Sequence, residues 1–213
     1  MTRVLLLATH NQGKVREFAG LFSQLPIELR SLAQVEPTLS VVEDGATFEA
    51  NARKKAREIA LATGMLVLAD DSGLEVDALG GQPGVYSARY AGPNASDAAN
   101  NSKLVAALRD VPEPQRTARY RVVLALADPH GPLGDTVHVE HGTCEGRLQL
   151  EPRGEHGFGY DPYFVPAGHT LTMAELPAAE KNQLSHRAQA ARHIARFLAQ
   201  YLTRGRIPEP GQP

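Results

Sequence analysis

Apolar and polar positions alternate in blocks along the first part of the chain, and the blocks predict a strand, a turn and a helix. Residues 4–8 form a continuous apolar run, which leads into the polar segment at residues 9–14. Beyond it, apolar residues recur at helical spacing, at Val15, Phe18, Leu21, Phe22 and Leu25. A short apolar run followed by a period near 3.6 residues is typical of a buried strand that leads into an amphipathic helix.

The next blocks predict a helix and then a second buried strand. The helix covers residues 47–62 and ends at Gly64. Its apolar stripe comprises Phe48, Ala52, Ala56, Ile59 and Ala60, and Asn51, Lys54, Lys55 and Glu58 lie mostly off that stripe. Residues 65–69 are again continuously apolar and stop at Asp70, which predicts a strand that ends there.

The remainder of the chain predicts a loop, a hairpin and two further helices. Residues 80–94 mix Gly, Pro and Tyr too densely for regular structure, so we expect an ordered loop there and a helix over residues 95–108. Residues 119–127 and 136–146 flank a turn-forming segment, which predicts an antiparallel hairpin. A last helix begins near Ser185 and buries Ala191, Ile194, Ala195, Leu198 and Leu202. This order of elements predicts an α/β fold with a mixed sheet.

The 213-residue chain has no repeat and no linker long enough to separate domains, so we expect one domain over residues 1–204. The hairpin region could form a second lobe of that domain. Residues 205–213 are rich in Pro and Gly and predict a flexible tail.

Composition and charge exclude several classes of protein. With 22 basic and 24 acidic side chains the net charge is -2, which provides no broad positive field for a nucleic-acid partner. The single cysteine, Cys144, cannot form an internal disulfide, and no Cys/His spacing fits a zinc site. The apolar run at residues 4–8 is too short for a signal or membrane segment, so we expect a cytoplasmic protein without a membrane partner.

The polar segment after the first strand is a candidate anion site. It comprises Thr9, His10, Asn11, Gln12, Gly13 and Lys14. At a helix N-terminus the free backbone N–H groups, the helix dipole and the Lys14 ammonium act together, which favours phosphate. The segment is not a Walker A loop, because Ala8 and Val15 stand where that loop requires Gly and Ser or Thr. The alternative is an ordinary capped turn.

Two adjacent carboxylates follow the second apolar run. Asp70 and Asp71 stand where the strand is predicted to end, and ligands of open α/β sheets gather at such ends. Paired carboxylates suit Mg²⁺. Since neighbouring strand residues point to opposite faces, we expect the two to have different roles. The alternative is that these residues only form a polar turn. Glu43, before the helix over residues 47–62, is a further candidate carboxylate.

Two later segments carry candidate groups for a nucleotide base. Residues 157–164 place aromatic side chains between glycines, as a stacked base requires, although the aromatics could instead pack into the core. Ser185 is a predicted helix N-cap that sets His186 and Arg187 in the first turn, with Lys181 upstream. An exposed basic helix start is the alternative there. His138, His141 and Cys144 are interpreted as structural.

Together these segments resemble the Ham1/RdgB inosine triphosphate pyrophosphatase family. The resemblance rests on segments in the family's order over nearly the whole chain, at residues 9–14, 70–74, 79–89, 157–162 and 185–187. It implies a long mixed central β-sheet flanked by helices, with two lobes and the active site in the cleft between them. It also implies a homodimer that uses Mg²⁺.

The resemblance further implies hydrolysis of noncanonical purine nucleoside triphosphates (ITP, dITP, XTP) to the monophosphate and pyrophosphate. In that reading Asp71 is the catalytic proton acceptor, and Glu43 and Asp71 hold the metal. Substrate is contacted by the phosphate segment at residues 9–14 and by Ser72, Phe158, Gly159, Tyr160, Asp161, Lys181, His186 and Arg187.

Two other functions fit the same residues. One is a pyrophosphatase for other modified nucleotides, since residue spacing does not measure a pocket. The other is a nucleotide-binding module without chemistry. The presence of Asp71 disfavours the binding module, because a carboxylate that faces phosphates without a metal repels them.

Overall fold

The protein, described by a computed structural model over residues 3–204, is built on one mixed sheet of six strands. In chain order these strands are β1 (Arg3–Leu7), β2 (Ile27–Ser31), β3 (Leu66–Val76), β4 (Thr117–Asp128), β5 (Gly134–Leu148) and β6 (Phe164–Pro166). They lie in the order β2-β1-β3-β4-β5-β6. β1 pairs in parallel with both β2 and β3, whereas β5 and β6 are antiparallel. The predicted α/β fold with a mixed sheet is confirmed.

The two continuously apolar runs form adjacent strands. Leu5 and Leu7 of β1 lie opposite Leu66 and Leu68 of β3, and all four side chains are at most 2% exposed. A strand that is apolar at every position exposes no polar face to water, so it is stable only where both faces are covered. This explains why the runs at residues 4–8 and 65–69 enter the sheet as neighbours.

The predicted hairpin is also present. β4 and β5 are neighbours in the sheet and are joined by residues 129–133 only. A parallel crossover needs about a dozen residues or more, so this short connection makes the pair antiparallel. Both strands are longer than predicted, since β4 begins at Thr117 and β5 ends at Leu148.

Six α-helices accompany the sheet in the described chain. They are α1 (Gln12–Leu21), α2 (Leu32–Val35), α3 (Phe48–Thr63), α4 (Asp97–Leu108), α5 (Ala178–Leu184) and α6 (His186–Arg204). α3 agrees with the predicted bounds within one residue, because Thr47 caps its first turn and Gly64 ends it in the left-handed conformation, with φ 67°. α1 ends four residues before Leu25, which precedes Pro26 and is therefore disfavoured in a helix.

One boundary prediction is wrong in a way that matters for the site. β3 does not stop at Asp70 but continues to Val76, so Asp70 and Asp71 lie inside the strand. Its parallel pairing with β1 does end at Leu68, so both carboxylates still lie just beyond the last paired residue. Asp70 can remain in a buried strand because Lys14 compensates its charge.

Two short strands and two short helices could not be recognised from the sequence. β2, α2, α5 and β6 were not predicted, since segments of three to seven residues contain too few positions for a period to show. The predicted loop at residues 80–94 contains a 3₁₀ helix at Gly84–Arg89. α4 begins at Asp97 rather than at residue 95, because Ser96 is its N-cap and accepts from the Ala99 N–H.

The described chain divides into two compact units. The first contains residues 3–71, 123–141 and 189–204, and the second contains residues 72–122 and 142–188. The core of the second unit is a cluster of buried side chains that includes Leu74, Leu104, Tyr120, Tyr160 and Phe164. One catalytic domain over residues 1–204 stays a prediction, and the tail at residues 205–213 lies outside the described residues.

Candidate active site

The polar segment after β1 forms the N-terminal end of α1, as an anion site requires. Asn11 is the N-cap, and its Oδ1 accepts hydrogen bonds from the backbone N–H groups of Gly13 at 2.8 Å and Lys14 at 3.2 Å. Thr9 Oγ1 accepts from the Asn11 N–H at 3.1 Å. The carboxamide of Asn11 thus holds the N–H groups that an anion would use, so a bound phosphate would share or replace its contacts.

Lys14 connects this segment to β3. Its Nζ forms an ion pair with Asp70 Oδ1, and the side chains are 17% and 3% exposed, respectively. β1 and β3 are adjacent, which brings the segment after β1 level with Asp70. Asp70 therefore orients the ammonium of Lys14, and a triphosphate that binds Lys14 must compete with this carboxylate.

Asp71 has different neighbours from Asp70, as the alternation of strand side chains predicts. It is 6% exposed, and burial raises the pKa of its carboxyl to about 6, against the opposing effect of the Lys55 charge. The negative charge of Glu43 raises this pKa further. Asp71 Oδ2 is buried and has no hydrogen-bond partner among residues 3–204. Such a carboxyl titrates near neutrality and retains an oxygen for a ligand.

Two residues of α3 complete this cluster, although their positions in the sequence predict otherwise. Asn51 and Lys55 lie off the predicted apolar stripe, yet they are only 1% and 9% exposed. Lys55 Nζ forms an ion pair with Glu43, and the Asn51 amide lowers the pKa of Asp71. Asn51 Oδ1 also accepts from the Gly45 N–H at 2.7 Å. Their spacing of four residues on one helix was the available signal, because it places them on one face.

The carboxylates Glu43 and Asp71 fit a magnesium ion. In the part of the chain that the structure describes, no group of three or more His, Cys, Asp or Glu side chains could hold a metal. Mg²⁺ is usually bound by one or two carboxylates together with water and substrate phosphates, so two carboxylates suffice. The unsatisfied Oδ2 of buried Asp71 is the orphan oxygen that a cation would satisfy.

Asp71 also makes the stability of the metal-free protein depend on pH. Its pKa rises from 3.8 to about 6 on folding, so between these values the folded state holds a proton that the unfolded chain has lost. The free energy of unfolding should therefore fall as pH rises from about 4 to 6, by up to roughly 3 kcal/mol. We expect Asp71→Asn to remove this contribution in urea titrations with a chelator. Identical pH dependence in both proteins would contradict it.

In the second unit, Asp161 organises the aromatic segment. Its Oδ2 accepts from Lys181 Nζ at 2.7 Å and from the Phe158 N–H at 3.1 Å, and its Oδ1 accepts from the Tyr120 hydroxyl at 3.1 Å. Burial, together with the Asp161 charge, raises the pKa of Tyr120 well above its usual value, so this hydroxyl keeps its proton. Asp161 is 5% exposed. It therefore fixes Phe158 and Lys181 relative to each other.

The cationic side chains lie against aromatic rings. Lys181 Nζ is 5.4 Å and Arg187 Cζ is 5.7 Å from the centroid of the Phe158 ring. Arg187 Nη2 donates to Ser72 Oγ at 3.0 Å. The His186 ring stacks on Tyr120 at 4.8 Å, with 11° between the planes. A flat aromatic surface bordered by buried donors is what a nucleotide base needs.

The predicted site residues fall into one group in each unit. The first unit holds residues 9–14, Glu43, Asp70 and Asp71, and the second holds Ser72, residues 158–161 and residues 181–187. Within the first group, His10 and Gln12 are exposed, and His10 Nε2 lies 3.2 Å from the Pro37 carbonyl oxygen. Along the chain, the first stretch of the first unit ends at Asp71, and the second unit begins at Ser72.

Two of the three residues interpreted as structural, His138 and Cys144, have packing partners, whereas His141 is exposed, with its Nε2 3.5 Å from Glu49 Oε2. His138 stacks on Phe197 with 3.7 Å between ring centroids, and its Nε2 lies 3.1 Å from Glu140 Oε1. Cys144 belongs to the buried core cluster of the second unit. Burial raises the pKa of the Cys144 thiol to about 11, so it stays protonated at neutral pH.

Many proteins are similar to this chain in sequence. Residues 5–197 match the family model of the Ham1 family. A dITP/XTP pyrophosphatase of Bacillus subtilis is 46% identical over 193 residues, which are 91% of this chain and 96% of the relative. A dITP/XTP pyrophosphatase of Geobacter sulfurreducens is 51% identical over 190 residues, which are 89% of this chain and 93% of the relative.

Solved structures agree with the sequences. A Ham1 protein from Coxiella burnetii is 39% identical with a TM-score of 0.80, over 93% of this chain and all of the other. The Staphylococcus aureus Ham1 protein is also 39% identical, with a TM-score of 0.79 over 92% of this chain and 98% of the other. Since the family match spans most of the chain and both sequence and fold agree, this chain belongs to the Ham1 family.

Proposed function

We propose that this chain hydrolyses noncanonical purine nucleoside triphosphates, such as ITP, dITP and XTP, to the nucleoside monophosphate and pyrophosphate. It is thus a hydrolase of acid anhydrides that cleanses the nucleotide pool. The observation that carries the proposal is the buried Asp71 carboxyl, which has an unsatisfied oxygen beside Glu43 and Lys55. The names of relatives at 46% and 51% identity support dITP and XTP as substrates.

Asp71 is the proposed proton acceptor for the attacking water. A general base works best with a pKa near the working pH, and in the metal-free protein burial brings the pKa of Asp71 to about 6. A bound Mg²⁺ would favour the ionised form of this carboxylate, which is the form that accepts a proton. The reaction is attack of this water at the α-phosphorus, with pyrophosphate as the leaving group. Mg²⁺, bound by Glu43 and Asp71, would neutralise phosphate charge and stabilise the leaving group.

Cationic groups of the first unit are proposed to hold the phosphates. Lys14 stands at the N-terminal end of α1 and is held by Asp70. Lys55 is held in the same manner by Glu43. Because each ammonium is already oriented by a carboxylate, little side-chain entropy is lost when phosphate replaces that partner.

The base is proposed to lie against Phe158, with Lys181, His186 and Arg187 as donors. The buried Asp161–Lys181 pair and the Arg187–Ser72 hydrogen bond hold these donors in fixed positions. Fixed donors favour a ring with acceptor oxygens, which hypoxanthine and xanthine have and which the amino group of adenine does not supply.

The direct test is a substrate panel. The purified protein with Mg²⁺ is incubated with dITP, XTP, ITP, ATP, GTP and a set of modified pyrimidine triphosphates, and pyrophosphate and orthophosphate are measured separately. We expect pyrophosphate from the first three. Orthophosphate as the product, or preference for a pyrimidine, would overturn the reaction or the substrate class.

Lys14 gives a sharper test of the phosphate assignment. We expect Lys14→Ala to weaken binding of dITP about tenfold or more but binding of dIMP much less, since its ammonium would meet the β- or γ-phosphate. Calorimetry with both ligands in Ca²⁺, which suppresses turnover in many Mg²⁺-dependent hydrolases, measures the two constants. Equal losses for both ligands would place Lys14 elsewhere. Lys54→Ala is the matched control, because Lys54 pairs with Asp44 on an exposed surface.

The remaining proposals rest on the family resemblance for the metal and the dimer, and on charge and composition for location and partners. We infer a Mg²⁺ cofactor, a homodimer and a cytoplasmic location, with no nucleic-acid or membrane partner. Among residues 3–204, no helix has the length and apolar character needed to cross a membrane. Light scattering after gel filtration measures the mass of the particle, and a monomer at micromolar concentration would contradict the dimer.

A further inference from the structure

Both backbone polar groups of Gly159 are held by side chains of one helix. The Gly159 N–H donates to Asp97 Oδ2 at 2.7 Å, and its carbonyl oxygen accepts from Asn101 Nδ2 at 3.0 Å. Gly159 adopts φ +62°, a left-handed conformation that costs glycine little. A single residue is thus fixed from two sides by one helix, in the middle of the segment that carries Phe158 and Tyr160.

The helix that makes these contacts, α4, is anchored in the core of the second unit. Asp97 and Asn101 are one turn apart at the start of α4, so they lie on the same face. Further along α4, Leu104 and Leu108 are each 1% exposed within the core of the second unit. Positions on a helix anchored in this way are better defined than positions on a loop.

The adjacent Asn100 holds a second loop in the same manner. Its Oδ1 accepts from the Ala91 N–H at 2.8 Å, and its Nδ2 donates to the Ala88 carbonyl oxygen at 3.2 Å. The two loops are joined directly, since the Tyr160 hydroxyl donates to the Ser87 carbonyl oxygen at 2.7 Å. α4 therefore organises the surroundings of Gly159 as well as Gly159 itself.

Stability alone does not explain Asn101. The side chain is 8% exposed, and within the described part of the chain its Oδ1 has no hydrogen-bond partner. A buried polar atom without a partner costs free energy, and an apolar residue at this place would avoid that cost. What Asn101 supplies is the donor to Gly159, so the role of the residue lies in that contact.

We propose that Asp97 and Asn101 are positioning residues for base recognition, which act by fixing the backbone of Gly159 between Phe158 and Tyr160. The proposal rests on the proposed function, because it assigns the nucleotide base to this segment. Phe158 has its ring against Lys181 and Arg187, so a displaced Gly159 displaces the stacking surface relative to the donors. The phosphates are assigned to residues of the first unit and should be unaffected.

The test compares Asn101→Ala and Asp97→Ala with two matched variants. Asp97→Asn keeps an oxygen that can accept from Gly159, and it separates this hydrogen bond from the charge at the helix N-terminus. Ser102→Ala removes a hydroxyl from an exposed position of the same helix. For each variant we would measure KM and kcat for dITP, inhibition by inorganic triphosphate, melting temperature, and hydrogen exchange of a peptide that contains Gly159.

We expect both alanine variants to raise the KM for dITP about tenfold, the usual effect of losing a hydrogen bond with a charged or buried partner. The kcat should change less than threefold and the inhibition constant of inorganic triphosphate should not change, while exchange of the Gly159 peptide becomes faster. Asp97→Asn should recover most of the affinity, and Ser102→Ala should match the parent protein. If dITP and inorganic triphosphate weaken together, or if neither does, the proposal is wrong.

The same measurements separate this proposal from the proposed function. If the parent protein releases no pyrophosphate from dITP, the proposed function fails. Binding of dITP by calorimetry and exchange at Gly159 then still test the two positioning residues. Unchanged exchange in both alanine variants would overturn the inference even if the enzyme hydrolyses dITP as proposed.

Discussion

Asp71→Asn is expected to abolish pyrophosphate release from dITP while the protein stays folded. The amide has the shape of the carboxylate but carries no charge for Mg²⁺ and does not accept a proton from water. General-base catalysis contributes about 10²- to 10⁴-fold, and loss of a metal ligand adds to that, so kcat/KM should fall at least about 10³-fold. The measurement is kcat/KM for dITP at saturating Mg²⁺.

The folded state of this variant is expected to be at least as stable as the parent at pH 7 without Mg²⁺. The carboxyl of Asp71 is buried and its pKa is raised to about 6, so its ionised form is disfavoured in the folded protein, and a neutral side chain avoids that cost. Lower activity and undiminished stability together would identify a site that is optimised for chemistry rather than for folding.

Asp44→Asn is the matched control for this prediction. Asp44 follows Glu43 in the chain, pairs with Lys54, and has a side chain that is 65% exposed. The substitution removes one negative charge from the same stretch without touching the buried cluster, so activity should be unchanged. Near-normal turnover in a folded Asp71→Asn variant would refute the catalytic role of Asp71, and equal losses in both variants would indicate a general effect of charge.

Long elements could be predicted from the sequence because their signals are repeated. α3 shows several apolar positions at helical spacing and a glycine at its end, and its predicted and observed bounds agree within one residue. The apolar runs that form β1 and the start of β3 contain no polar residue that could point to water. In each case many side chains carry the same information, so one exception does not change the conclusion.

Polar residues inside regular elements were the source of the errors. Asp70 and Asp71 have the composition of a turn, but the strand continues because Lys14 and Lys55 supply positive charge around them. Asn51 and Lys55 were placed off the apolar stripe of α3 by the same reasoning, although both are buried. These buried polar residues are stabilised by partners that are distant in sequence. The spacing of apolar residues within one segment gives no information about such partners.

The roles of Asp97 and Asn101 could not be predicted for a related reason. Each contacts Gly159 across about sixty residues of chain, and neither belongs to a motif that indicates chemistry. In contrast, the sequence did identify His186 and Arg187, because a capping serine next to two basic residues is a local pattern. The structure confirms the cap, since Ser185 Oγ accepts from the Ala188 N–H at 3.1 Å.

His186→Ala and Arg187→Ala are expected to reduce the preference for ITP over ATP. Hypoxanthine has an acceptor oxygen at position 6 where adenine has an amino donor, so a protein donor aimed there binds one base and opposes the other. His186 and Arg187 are 6% and 3% exposed, and a buried donor left without a partner by the wrong ligand can discriminate by factors of roughly 10⁴. Each alanine variant should therefore lower kcat/KM for ITP about 10²-fold and change that for ATP much less.

The contacts of the two residues let the result be interpreted further. Arg187 also donates to Ser72 Oγ, so Ser72→Ala sets an upper limit on the part of the Arg187→Ala effect that comes from that hydrogen bond. His186 is stacked on Tyr120, and a melting temperature for His186→Ala reports the packing that is lost with its ring. Arg196→Ala, at an exposed position of the same helix, controls for the removal of a positive charge. If His186→Ala and Arg187→Ala lower ITP and ATP hydrolysis by the same factor, the two residues hold phosphate or structure. Base recognition must then come from other donors, such as Lys181, whose Nζ is 5.4 Å from the centroid of the Phe158 ring.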